Sequence, residues 1–151
     1  MILTIELVPK SCWFSNLRDH LTDAQWKEVK QSTFKAADNR CEICNGVGEK
    51  WPVECHEVWE YDDLHKIQRL SGTVALCPSC HQVKHIGLAM VTGRYDQAKS
   101  HFSAINKMPM RRTENYIEKV FNVFNERSKH QWTLDISLIN KKYGFDIKEK
   151  R

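Results

Sequence analysis

The chain has 151 residues, 41% hydrophobic and 28% charged, a size and balance that fit one compact globular domain and exclude a disordered or collagen-like chain. Its formal charge of +4 permits a polyanionic partner without requiring one. The longest apolar runs fall far short of the roughly 20 residues of a membrane-spanning helix, and the apolar start has no basic flank and is broken by Pro9 and Lys10, so the chain reads as cytosolic.

Residues 1–8 interleave Ile2, Thr4, Glu6 and Val8 with Leu3, Ile5 and Leu7, a weak alternation that predicts a short strand. Thr22 followed by Gln25 forms a capping-box signature, and Trp26, Val29, Thr33 and Ala37 then recur at helical spacing up to Asn39. Residues 51–60 are rich in strand formers, and residues 72–76 make a second apolar run ending at Cys77. Pro78 suits the first position of a helix that the pattern carries through Leu88 and Met90, with Gly87 its weak point. Residues 94–105 and 113–128 read as helices separated by Met108 and Pro109, the second burying Ile117, Val120, Phe121 and Phe124 on one face. Residues 132–136 alternate as a strand, residues 138–143 form a last helical turn stopped by Gly144, and residues 148–151 make a polar, basic tail.

Four of the six cysteines form two tight pairs, Cys41-Glu-Ile-Cys44 and Cys77-Pro-Ser-Cys80. A chain with no export signal disfavours disulfides, whereas each pair can turn two thiolates towards one ion. Two such knuckles complete a tetrahedral zinc site with Zn–S bonds of about 2.3 Å. A full thiolate shell leaves no open position, so this zinc is expected to staple the fold while chemistry lies elsewhere. Cys12 reads as a small buried hydrophobe.

His81 follows Cys80 directly, and His85 lies one helical turn further on, so both rings can reach a common point. The second half of this constellation is Glu54-Cys55-His56-Glu57, on the first strand of the predicted hairpin. The thiolate clamp would bring strand and helix together and aim His56 at the cleft between His81 and His85. Glu54, Glu57, Glu60, Asp62 and Asp63 crowd the same strand with no lysine or arginine among them, a repulsion that a cation would relieve. His20, His65, His101 and His130 lack a partner at chelating spacing and read as surface or capping residues, and the five tryptophans read as core.

His56, the run over residues 72–76 and Cys77-Pro-Ser-Cys80-His81-Gln-Val-Lys-His85 together resemble the zinc-bound HNH, or ββα-metal, nucleases. The resemblance covers about residues 39–88. It implies an α+β fold in which a zinc-stapled ββα-metal core is joined by an N-terminal strand and helix and by a helical extension over about residues 94–143, within one domain spanning residues 1–151. It also implies hydrolysis of phosphodiester bonds, in DNA foremost and in RNA for some members. The cofactors implied are a structural zinc on Cys41, Cys44, Cys77 and Cys80 and one catalytic divalent ion, Mg²⁺, Mn²⁺, Ni²⁺ or Zn²⁺. His81 and His85 match the helix-borne ligands of that ion, and His56 matches the strand histidine.

The family carries a metal ligand and a general base at adjacent positions, which leaves two registers here. Either Cys55 fills the ligand slot and His56 is the base, or His56 binds the metal and Glu57 is the base. An unperturbed pKa of about 6.5 favours His56 for base work at neutral pH. The asparagine that opens the family's second strand and orients the base falls at Gly72, with Ser71 and Thr73 the nearest polar substitutes. Thr73 and Lys84 are candidate contacts to the substrate strand, whereas Arg111 and Arg112 read as a solvated basic pair. Nucleic acid is the expected partner, a homodimer is compatible with the pattern, and no membrane is involved. The competing reading is a zinc-containing module that binds nucleic acid or protein on the same scaffold without cleaving.

Overall fold

The capping box opens the first helix as its sequence dictates, in a computed structural model that describes residues 1–13 and 16–148. Thr22 Oγ1 accepts from the Gln25 N–H at 3.1 Å and Gln25 Oε1 accepts from the Thr22 N–H at 2.9 Å, satisfying two otherwise orphaned donors of α1 (Asp23–Ala36). The helix ends where Asp38 and Asn39 turn to positive φ. Ahead of it, residues Lys10–Cys12 and Leu17–His20 form short 3-10 turns.

Strands β1 (Glu54–Asp62) and β2 (Ile67–Leu76) pair as an antiparallel hairpin in which His56 faces Val74 and Val58 faces Gly72. The register then slips so that Trp59 faces Leu70, which leaves Ser71 as a bulge whose hydroxyl donates to the Val58 carbonyl at 3.1 Å. The short strand β3 (Thr133–Asp135) adds to β2 in parallel, giving a three-stranded sheet of order β1-β2-β3. The fold is therefore mixed α+β, as expected.

The helix predicted from Pro78 to about Met90 is two helices, α2 (Pro78–Lys84) and α3 (Ile86–Val91), which meet at His85 in a non-helical conformation of φ −103° and ψ 47°. Gly87, the weakest helix former of the run, lies just past the break. Helices α4 (Tyr95–Asn106) and α5 (Met110–Arg127) flank Met108 and Pro109, and α6 (Ser137–Tyr143) stops at Gly144, whose φ of +69° suits a glycine.

The strand expected over residues 1–8 does not form. The alternation is nonetheless real, since Leu3 and Ile5 are buried. The backbone hydrogen bonds of this extended segment go to side chains instead of a neighbouring strand. Asn106 Oδ1 accepts from the Ile2 and Leu3 N–H groups, Asn106 Nδ2 donates to the Leu3 carbonyl, and the Tyr116 hydroxyl accepts from the Ile5 N–H. The segment is a strap across α4 and α5.

Two apolar clusters hold these layers. One joins Leu3, Ile5, Leu76, Val83, Ile86, Ala98, Phe102 and Ile117, and so packs the strap and helices α2 to α5 against the end of the hairpin. The other joins Leu17, Val29, Leu70, Leu134, Ile136 and Ile139, and packs α1 and α6 on the sheet. Among the described residues no helix is long and apolar enough to cross a membrane. Of the basic tail expected over residues 148–151, all but Lys148 lies outside the described residues.

Candidate metal centres

The four predicted thiols converge. Cys41, Cys44, Cys77 and Cys80 have their sulfurs within 4.8 Å of one another. A tetrahedron with Zn–S bonds of about 2.3 Å has an edge of about 3.8 Å, and Cys44 Sγ lies 3.7 Å from Cys77 Sγ. The donor set and spacing therefore fit a structural zinc.

Local chemistry builds each knuckle. In the second, Cys77 is the N-cap of α2, its sulfur accepting from the Cys80 N–H at 3.4 Å, with Pro78 at the first helical position. In the first, the Asn45 N–H bonds the Cys41 carbonyl, the Cys41 N–H bonds the Gly46 carbonyl, and Cys44 Sγ accepts from the Gly46 N–H at 3.4 Å. Glu42 stitches this knuckle to β2, accepting from the Ala75 N–H at 2.6 Å while its own N–H donates to the Ala75 carbonyl. Gly48 lets the loop beyond it approach closely, because a Cβ there would sit 2.8 Å from Pro78 Cδ. Burial pushes the Cys77 thiol up to about 11. Burial and the neighbouring Cys41 and Cys77 raise Cys80 further. At Cys41 burial also acts upward, but backbone N–H groups of Cys44, Cys77 and Ile43 outweigh it and lower that thiol. So crowded a set of sulfurs ionises together only around a cation.

The three predicted imidazoles form a second cluster. His56, His81 and His85 offer ligand atoms within 4.8 Å of one another, and their ring centroids lie 4.8 to 5.2 Å apart. His81 Nε2 and His85 Nε2 are separated by 3.1 Å. Metal–nitrogen bonds of about 2.1 Å give a nitrogen–nitrogen edge of about 3.0 Å in an octahedron and about 3.4 Å in a tetrahedron, so this pair fits one divalent ion. The other nitrogen of His81, Nδ1, lies 3.1 Å from Glu54 Oε1. That contact places the proton on Nδ1 and leaves the Nε2 lone pair facing the shared point. Desolvation, with repulsion from His85 and His81, lowers His56 to about 2. Desolvation and His81 lower His85 to about 4. Both rings are thus neutral donors at physiological pH. His81 and His85 line an open cleft of about 710 Å³, whose walls also carry Glu54, Trp51, Arg94 and Gln97.

Strand alternation separates the other residues singled out on sequence. Glu54 and His56 face α2, whereas Cys55 and Glu57 face α1 on the opposite side of β1. Cys55 Sγ lies 3.7 Å from Thr33 Oγ1, so it does not reach the ligand slot beside His56. Burial raises the Glu57 carboxyl to about 7, opposed by bonds from the Leu17 backbone and the Trp59 side chain. Thr73, paired with Glu57 in the hairpin, shares a 2.6 Å hydrogen bond with Thr33 and likewise faces away from the histidines. The structure thus brings His56, His81 and His85 together and leaves Cys55, Glu57 and Thr73 apart from them. Lys84 is drawn to the strap, where it donates to Thr4 Oγ1 at 3.2 Å and Glu6 Oε2 at 3.1 Å. Arg111 and Arg112 are exposed in the first turn of α5.

Sequence reasoning missed three residues here. Glu54 is named in the constellation and in a run of acids but given no role of its own, although its position two before His56 puts it on the same face of a strand. Trp51 was read as core, yet it is 50% exposed on the cleft wall. His101 was read as a surface or capping residue, yet its Nε2 lies 3.2 Å from Cys80 Sγ. Comparison of the chain with protein-family models, with curated proteins and with solved structures gives no match.

Proposed function

We propose that this chain is a metal-dependent endonuclease of the HNH kind that hydrolyses phosphodiester bonds, in DNA foremost. The observation that carries the reading is the convergence of His56, His81 and His85 at the edge of an open cleft, beside a four-cysteine clamp. Their order along the chain, strand histidine then two helix-borne histidines one turn apart, is the order of the ββα-metal core. In this reading all three imidazoles are ligands. His56 takes the ligand role because its ring faces both others while Cys55 turns away.

Bound there, a divalent ion would stabilise negative charge developing on the phosphate and ease proton loss from the attacking water. The chain's own residues supply orientation. Glu54 fixes the His81 tautomer, and the zinc clamp fixes the helix that carries His81. Trp51 and Arg94 offer an aromatic face and a guanidinium on the cleft wall, suited to a nucleobase and a backbone phosphate.

A second reading is the zinc-containing module that binds without cleaving. It draws on the turn of Glu57 and Thr73 away from the histidines, and on Gly72 standing where an asparagine would orient the base. Supercoiled plasmid separates the two. Incubated with the protein and Mg²⁺, Mn²⁺ or Ni²⁺, it should become nicked or linear, and EDTA or His81→Ala should abolish the cut. Retardation of the plasmid with no cut under any of these ions would overturn the nuclease reading and favour the module.

A further inference from the structure

Helix α4 buries a stripe made of Ala98, His101, Phe102 and Ile105, residues three and four apart that share one face. Ala98 and Phe102 are fully buried, so His101 occupies a place where an apolar side chain is the ordinary choice. A polar ring set into such a stripe needs a partner. Its partner is the most enclosed sulfur of the clamp, since Cys80 is 0% exposed and its Sγ lies 3.2 Å from His101 Nε2.

The sulfurs of Cys44 and Cys77 accept from N–H groups of their own knuckles, those of Gly46 and Cys80. The polar neighbour of the Cys80 sulfur comes from a helix outside the clamp. His101 Nε2 is not among the mutually close ligand atoms, which are the four sulfurs. It therefore stands beside the site and not within it.

We propose that His101 is a positioning residue of the zinc centre, donating its Nε2 hydrogen to the Cys80 thiolate and shielding that sulfur. Four thiolates around Zn²⁺ carry a net charge of −2, and an N–H directed at one sulfur disperses part of it. That thiolate then reacts more slowly with electrophiles, and α4 is tied to the knuckle. The inference rests on the four cysteines holding zinc and is independent of whether the histidine cleft cuts nucleic acid.

The test is zinc release to a chromophoric chelator while N-ethylmaleimide alkylates the thiolates, with zinc content measured beforehand. Wild type should hold about one tightly bound zinc per chain. His101→Leu should keep that zinc but release it about tenfold faster, the scale of one charge-assisted hydrogen bond, while His101→Gln, with an amide N–H near the position of Nε2, should stay within about twofold of wild type. Loaded with Co²⁺, His101→Leu should show its thiolate-to-metal charge-transfer band at lower energy than wild type. Release from His101→Leu at the wild-type rate would overturn the proposal, as would equal rates for Leu and Gln, which would mark packing as the cause. Absence of zinc from a folded His101→Leu would make the histidine a ligand and overturn it too, and so would a wild type without zinc. If His101→Leu does not fold, His101→Asn, whose shorter amide falls short of the sulfur, takes its place against His101→Gln under the same criteria.

Discussion

Glu54→Ala removes a carboxylate that touches no metal in the proposed site, so its effect isolates the orientation of His81. The contact at stake is one hydrogen bond of 3.1 Å between a carboxylate and an imidazole N–H. A bond to a charged group contributes about 1.5–3 kcal/mol. Solvent reaches both partners, with 32% of the Glu54 side chain and 21% of the His81 side chain exposed, which places this bond at the lower end. A loss of about 1.5 kcal/mol weakens affinity about tenfold, at the foot of the 10- to 100-fold range typical of groups that orient a metal-bound histidine. Glu54→Gln keeps an acceptor and should lose about threefold. The assay is calorimetric titration of Ni²⁺ into zinc-replete protein, with the four-cysteine site already filled. Wild-type affinity in Glu54→Ala, alongside lost binding in His81→Ala, would refute the orienting role. Wild-type affinity in His81→Ala itself would refute the three-histidine site.

Three further outcomes follow from the same geometry. Cys44→Ser should lose the tightly held zinc and Ni²⁺ binding together, whereas His81→Ala should lose Ni²⁺ binding and retain the zinc, both read by elemental analysis. Gly72→Asn should fold with stability within about 0.5 kcal/mol of wild type, because a Cβ there meets nothing within 4 Å. Its amide would enter on the His56 face of the hairpin, so plasmid nicking should rise about two- to tenfold, and an unchanged rate would deny position 72 an orienting role. Glu57 has its folded pKa raised from 4.5 to about 7, so its contribution to stability is full below 4.5 and is lost as pH climbs through about 7. Wild type should therefore lose up to about 3 kcal/mol relative to Glu57→Gln between pH 5 and pH 8 in urea titrations, and parallel pH profiles would contradict the burial of that carboxyl.

What the sequence revealed was whatever short-range spacing encodes. Paired cysteines two residues apart, histidines one turn apart on a helix and Thr22 with Gln25 all create their geometry within a few residues, and each is found where spacing put it. The exclusion of both Cys55 and Glu57 as partners of His56 was also within reach. Period-two alternation alone puts both on the face opposite His56. The weak alternation over residues 1–8 did not say which set is buried; Leu3 and Ile5 are, and their hydrogen-bond partners, Asn106 and Tyr116, come from far along the chain. Glu42 on Ala75 and His101 on Cys80 escaped for the same reason. Each depends on how separate elements pack, and no local pattern carries that information.

The two candidate centres are mechanically one assembly, because α2 carries ligands of both. Seven residues are too few to hold a helix unaided, so the orientation of α2 comes from what grips it. Cys77 and Cys80 grip its first turn, and each residue along a helix advances about 100°, so fixing Cys80 towards the core fixes His81 towards β1. The first knuckle is fastened to β2 at Ala75 through Glu42, and Ala75 is the neighbour of Val74, which pairs with His56. A cation on the four sulfurs would thereby set the distance between strand and helix histidines without touching either. His85 closes α2 with its N–H on the His81 carbonyl at 3.2 Å, so the spacing of one turn keeps both rings on one face even though the chain leaves the helical conformation there.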